Sequence, residues 1–271
     1  MRRWAPGLLV VVSLLVPGES VPAALASSVM APSATARPSA SQVSASQASA
    51  SQASASDGLA ANVSAAVDRL AGTDRYGTSA QISAQYAPGV PAVYIATGAA
   101  FPDALAAGAA AGHDSPVLLV NGGSISSAVS AEVARLKPGK IILVGGANSV
   151  PDSVGATLGA MASGGWTRLY GDNRYATAAA VSAATFSPGV PVVYLVSGVL
   201  FPDAVTASAL GAIAGNPVLL TDPAQLPPAT IAELTRLAPR EIVVLGGPAS
   251  VSDAVLTAAR AYSPSVERVQ G

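Results

Sequence analysis

Two short stretches set charged and aromatic side chains at matching positions. Asp74-Arg75-Tyr76 precedes Phe101-Pro102-Asp103-Ala104, and Asn173-Arg174-Tyr175 precedes Phe201-Pro202-Asp203-Ala204. A guanidinium is a rigid fork of donors that fits a carboxylate or a phosphate. Placed in the first turn of a helix it opposes the macrodipole, so Arg75 and Arg174 call for an anionic partner. That partner is either an anionic ligand or Asp103 and Asp203. The internal ion pair is the expectation for the resting state, because a buried arginine needs a carboxylate. A ligand phosphate could join the pair. Asp103 and Asp203 also have a plain structural use, satisfying free N–H groups where a helix begins. Tyr76, Tyr94, Tyr175 and Tyr194 could stack on sugars, or sit half-buried with a bonded hydroxyl.

Other chemistry is sparse. Gly145-Gly146 and Gly246-Gly247 follow apolar runs and precede Ser149-Val-Pro-Asp152 and Ser250-Val-Ser-Asp253. Such a pair could cradle an anion with backbone N–H groups, but a tight turn is the simpler reading. The S-x-x-D spacing reads as a capping-box variant. The chain has no cysteine and a single histidine, His113, so neither a thiolate nor a histidine metal cluster can form. No G-x-S-x-G elbow or phosphate-binding glycine loop is present. Duplicated motifs without a unique acid–base cluster favour a multivalent binder over an enzyme.

The elements that must position these residues occur twice. Arg69 corresponds to Arg168, Phe101 to Phe201 and Gly145 to Gly246, a period of about 100 residues that is domain-sized rather than solenoid-like. In the first copy Arg69–Gly72 reads as a short strand and Arg75–Tyr86 as a helix. Val93–Thr97, Val117–Val120 and Ile141–Val144 are apolar strands. Pro102–Ala111, Ile125–Leu136 and Val150–Met161 are helices, the first so rich in Ala and Gly that something must pack close to it. Strand and helix alternate, which predicts parallel α/β sheets. The second copy repeats the pattern from Arg168 to Ala261.

The first residues are of a different kind. Met1-Arg2-Arg3 and the apolar Gly7–Val16, with Ala24-Leu25-Ala26 as an A-x-A site, predict a signal peptide over 1–26. Residues 27–57 include Ser/Ala/Gln repeats with no periodic apolar face, which predicts a disordered linker. The net charge of -1 offers no field for holding nucleic acid.

The openings R-L-x-G-x-x-R-Y-x-T, the F-P-D-A helix starts, P-V-L-L and the G-G-x-x-S-V endings together resemble the type 2 cell wall-binding repeat of Gram-positive surface proteins. The resemblance covers 68–266 as two copies, 68–166 and 167–266. It implies a Toprim-like α/β fold, no cofactor, and a secreted protein held noncovalently at the cell wall by an anionic secondary polymer of polysaccharide or teichoic-acid type. It also implies a contact role for an Ile-Leu-Leu stretch, which corresponds here to Leu118 and Leu119 after Val117, and to Leu219 and Leu220 after Val218. With Arg75, Tyr76, Asp103, Arg174, Tyr175 and Asp203 these are the candidate polymer-binding residues. The alternative is a secreted α/β enzyme or small-ligand receptor acting on wall glycans. The final residues, Val266-Glu-Arg-Val-Gln-Gly271, repeat the R-x-x-G opening. They read as the start of a third copy cut short at 267–271, the preferred reading, or as a closing strand of the second. In the family three repeats commonly pack together, so two repeats without a third predict self-association.

Overall fold

The computed structural model describes residues 68–270. The expected signal peptide and linker lie outside the described residues. Helix and strand alternate in the same order twice. The first series is α1 (Arg75–Ser83), β1 (Ala92–Thr97), α2 (Phe101–Ala111), β2 (Val117–Val120), α3 (Ser127–Leu136), β3 (Lys140–Val144), α4 (Asp152–Gly159) and β4 (Trp166–Leu169). The second is α5 (Arg174–Thr185), β5 (Val192–Ser197), α6 (Phe201–Ala214), β6 (Val218–Thr221), α7 (Pro228–Leu237), β7 (Glu241–Leu245), α8 (Asp253–Ala259) and β8 (Ser265–Val269).

Each series builds one four-stranded sheet, in the orders β2-β1-β3-β4 and β6-β5-β7-β8, with every pairing parallel. Parallel pairing requires crossover connections, and the helices supply them. The sheets are apolar on both faces, as parallel sheets covered by helices must be. Val93, Ile95, Leu118, Ile141 and Leu143 face a core closed by α1, α3 and α4. Tyr94, Val144, Tyr194, Val196 and Leu220 belong to a second core that runs through both repeats and includes the alanines of α2 and α6.

Local signals explain the helix ends. The Asp74 carboxylate accepts from the Gly77 N–H at 2.7 Å, and the Asn173 side chain accepts from the Tyr175 and Ala176 N–H groups at 3.0 Å. Ser126 and Ser252 cap α3 and α8. Lys137 and Ala238 end α3 and α7 in the left-handed region, at φ 47° and 44°.

Three local expectations change. Residues 69–72 form no strand. Ser149 and Ser250 do not cap helices: their N–H groups bond the Gly146 and Gly247 carbonyls at 2.9 Å, closing a turn first. The helices then start at Asp152 and Asp253. The R-L-x-G segment of the second copy also lies elsewhere than its sequence position suggests. Trp166–Leu169 pairs with β3, register Leu143 to Arg168, and so completes the first sheet. The last strand does the same for the second sheet, with Val244 opposite Arg268. The Arg168 guanidinium bonds the Gly145 and Val150 carbonyls, both at 2.6 Å, and Arg268 bonds the Gly246 carbonyl at 2.6 Å. These arginines pin the fourth strand to the loop after the third, which is the physical reason the segment belongs to the preceding unit.

The two units meet through α2 and α6, which run side by side in the same direction. Phe101 faces Phe201 with ring centroids 6.1 Å apart, and Ser208 Oγ donates to the Leu105 carbonyl at 2.9 Å. A Cβ at Gly108 would lie 2.4 Å from Ser208 Oγ. The Ala/Gly richness read from the sequence thus serves close approach of two helices.

Candidate functional site

In each sheet β1 and β3, or β5 and β7, are neighbours whose following crossovers depart to opposite sides. Such a switch point leaves a crevice beyond the carboxyl ends of the strands, where ligands of open α/β sheets usually bind. The Arg, Tyr and Asp candidates stand around this crevice.

The arginine comes from the first turn of α1 or α5. Arg75 Nη1 donates to the Gly98 carbonyl just after β1, and Arg174 Nη1 donates to the Gly198 carbonyl at 2.6 Å. The tyrosine that follows lies against the same glycine. A Cβ at Gly98 would sit 2.7 Å from Tyr76 Cε1, and one at Gly198 would sit 2.7 Å from Tyr175 Cε1. Glycine is required there because the ring occupies the place of a side chain. The aspartate opens α2 or α6 and reaches over the next loop. A Cβ at Gly145 would meet Asp103 Oδ2 at 2.3 Å, and one at Gly246 would meet Asp203 Oδ2 at 2.4 Å. Both glycines also have positive φ, 104° and 108°. The glycine pairs are therefore turns that seat an aspartate.

The expected ion pair between these arginines and Asp103 or Asp203 is absent. Among the described residues neither Arg75 nor Arg174 makes a salt bridge; a carbonyl takes the place of the carboxylate. The electrostatic relation runs between copies instead. Burial pushes the Asp103 carboxyl above its ordinary range, and the charge of Arg174 in the other repeat pulls it back. Tyr175 is pushed up by burial and then by the Asp222 carboxylate, with Arg174 opposing. The junction thus gathers Asp103, Arg174, Tyr175 and Asp222. The first repeat has Asn121 where the second has Asp222, so its Arg75 and Tyr76 stand in a less acidic setting.

The leucines behave differently. Leu118, Leu119, Leu219 and Leu220 are buried on β2 and β6. Their side chains form core, so in this conformation they offer no surface to a polymer. They set the strand that positions the crevice, and Ser79 Oγ on α1 accepts from the Leu119 N–H at 3.2 Å.

Two arginine sets escaped the sequence reading. Arg135 and Arg236 form bidentate pairs with the buried Glu132 and Glu233 at 2.7–2.8 Å and also donate to carbonyls after α1 and α5. The repeated E-x-x-R spacing, which brings the two onto one helix face, was the available signal. Arg168 and Arg268 are held by carbonyls and by Asp152 and Asp253 at 2.8 and 3.0 Å. These four are satisfied by several partners each, whereas Arg75 and Arg174 use one donor each on protein among the described residues. No group of three or more His, Asp or Glu residues suited to a metal occurs among the described residues, and no helix there is long and apolar enough to cross a membrane.

The family described as Cell wall binding domain 2 matches residues 69–155 and 168–256. An N-acetylmuramoyl-L-alanine amidase, LytC of Bacillus subtilis, is 28% identical over 207 residues, covering 76% of this chain and 40% of the amidase. An amidase enhancer of Bacillus subtilis is 28% identical over 208 residues, covering 76% of this chain and 28% of the enhancer. The chain therefore spans less than half of either. Among solved structures, Cwp6 from Clostridium difficile superposes with a TM-score of 0.67 at 24% identity, covering 78% of this chain and 36% of that one. Cwp8 from Clostridium difficile does so with 0.61 at 24% identity, covering 69% and 32%. The two tandem α/β repeats are thus an architecture shared with solved proteins.

Proposed function

Because the chain belongs to the Cell wall binding domain 2 family, we propose that it is an exported, non-catalytic module. In this reading it attaches noncovalently to an anionic secondary polymer of the wall. The observation that carries the reading is the contrast between arginines. Arg135, Arg168, Arg236 and Arg268 spend their donors on the fold, while Arg75 and Arg174 each spend one, on the carbonyl of the glycine that follows β1 or β5. A guanidinium fixed by one carbonyl is pre-oriented for a phosphate or carboxylate, and loses little freedom on binding it. Tyr76 and Tyr175 supply an apolar ring beside the charge, suited to a sugar unit. Asp103 and Asp203 help hold the loop shape and can accept sugar hydroxyls.

Two equivalent crevices on one chain suit a repetitive polymer, since the second contact is intramolecular once the first is made. The N-terminal segment would direct export, and the wall would retain the product. Sedimentation with purified walls tests the proposal. Binding should fall when walls are stripped of secondary polymer and when salt screens the charges. Arg75→Gln with Arg174→Gln should lose most of it while keeping a cooperative melting transition. Release of wall fragments by the purified chain, or full binding by the double variant, would overturn the reading.

A further inference from the structure

The α2 face of the first repeat and the α6 face of the second are equivalent in sequence position but not in cover. On α2, Pro102 and Ala106 are buried, with Ala106 3% exposed, because the second repeat lies over them. On α6 the corresponding Pro202 and Thr206 are exposed, and Phe201, Leu210 and Ile213 are 42%, 37% and 48% exposed. Val199 and Leu200, leading into α6, are exposed as well, as is Val269 on β8, whose counterpart Leu169 is half-buried. Ala99, Ala100 and His113, the counterparts of Val199, Leu200 and Ile213, are exposed too, so the difference in cover lies at Phe201, Pro202, Thr206, Leu210 and Val269, each exposed where its counterpart in the first repeat is buried or half-buried. Soluble surfaces seldom leave such a patch bare.

What covers α2 defines what fits α6. The cover is α5 together with α6, and it brings Arg174 toward Asp103. The first repeat has the same element, α1, with Arg75 in the place of Arg174, and within the chain no other repeat lies in front of it among the described residues. Asp203 and Arg75 are thus the two groups left without the approach that Asp103 and Arg174 make once inside the chain. We propose that a second copy of this chain docks head to tail, setting α1 and Arg75 of its first repeat against α6 and Asp203 of the second repeat. The contact is heterologous, so it can close a ring or extend along a polymer.

Light scattering and sedimentation equilibrium on the purified full chain, without wall material, test this separately from polymer binding. The apparent mass should rise with concentration to two or more chains. Leu210→Asp with Ile213→Asp should return it to one chain with an unchanged circular dichroism spectrum. Asp203→Arg and Arg75→Asp should each stay at one chain, and an equimolar mixture of the two should associate again. A concentration-independent wild-type monomer overturns the proposal. So does association that survives either the Leu210/Ile213 variant or Arg75→Asp, the latter pointing to a two-fold contact between α6 helices, and so does a mixture that stays monomeric.

Discussion

Arg168 donates to Asp152 at 2.8 Å, and the arginine side chain is only 11% exposed while that of the aspartate is 71% exposed. The two ends of this pair contribute unequally. The arginine is held mainly by the Gly145 and Val150 carbonyls, each at 2.6 Å, and the aspartate is a solvent-side addition. Removing Arg168 leaves two carbonyls without their donor. Arg168→Met should therefore cost about 2 kcal/mol in urea unfolding. Asp152→Asn should cost about 0.5 kcal/mol, in the range of an exposed pair. Equal losses would show that the ion pair, not the carbonyl contact, fixes β4.

The contact between Gly108 and Ser208 makes the junction of the repeats sensitive to one methyl group. Gly108→Ala should destabilise by about 1–3 kcal/mol through overpacking. Ser208→Ala should recover part of that loss, because it removes the Oγ that lies 2.4 Å from the added Cβ. A double-mutant cycle by chemical denaturation reads the coupling. Strict additivity would mean that the helices slide apart to accommodate the methyl group.

Asp103 predicts an unusual pH response. Its folded carboxyl is raised by burial, so the folded state disfavours the charged form relative to the unfolded chain. Its stabilising contribution is fully present below the ordinary carboxylate pKa and is lost as pH rises through the raised folded value. Asp103→Asn should accordingly gain stability relative to wild type at neutral pH and gain little or nothing well below the ordinary carboxylate range. Melting temperatures of both proteins across that range supply the comparison. A difference independent of pH would remove the titration of Asp103 as its cause.

Trp166 lies over α4, where a Cβ at Gly155 or Gly159 would come within 2.6 or 2.7 Å of the indole. Gly155→Leu should therefore unseat β4 and cost more than about 2 kcal/mol, since the obstacle is a packed ring rather than a flexible tip. Tryptophan fluorescence should shift to the red in the same variant. An unshifted spectrum with wild-type stability would show that α4 does not depend on the ring.

Much of this architecture was legible in the residues. Val117–Val120 is apolar, short and bounded by turn residues, and it is a strand with those limits. The alternation of strands and helices sufficed for parallel sheets. Membership of a sheet was another matter. Trp166–Leu169 announces a strand by composition, yet a parallel partner lies a crossover away, and nothing local says whether that partner precedes or follows. The approach of Arg174 to the first copy was hidden for a related reason. Repeats offer the same candidates in each copy, so Asp103 and Asp203 look alike until the junction shows which one the arginine approaches. Leu118 and Leu119 point to a strand, while their exclusion from the surface depends on α1 and α3, whose packing is a property of the whole unit.

The fourth strand carries a lesson for cutting and joining these proteins. The similarity between copies begins at Arg69 and Arg168, but the sheet of the first unit is complete only at Leu169. A protease site or recombination junction placed at the start of R-L-x-G would strip β4 and its arginine from the unit to which they are bonded. A junction between Gly171 and Asn173 would separate two intact sheets and give each half its own Arg-to-loop latch. Modules of this kind therefore keep both sheets whole only when the breakpoint falls after the shared motif, one strand later than the sequence period advises.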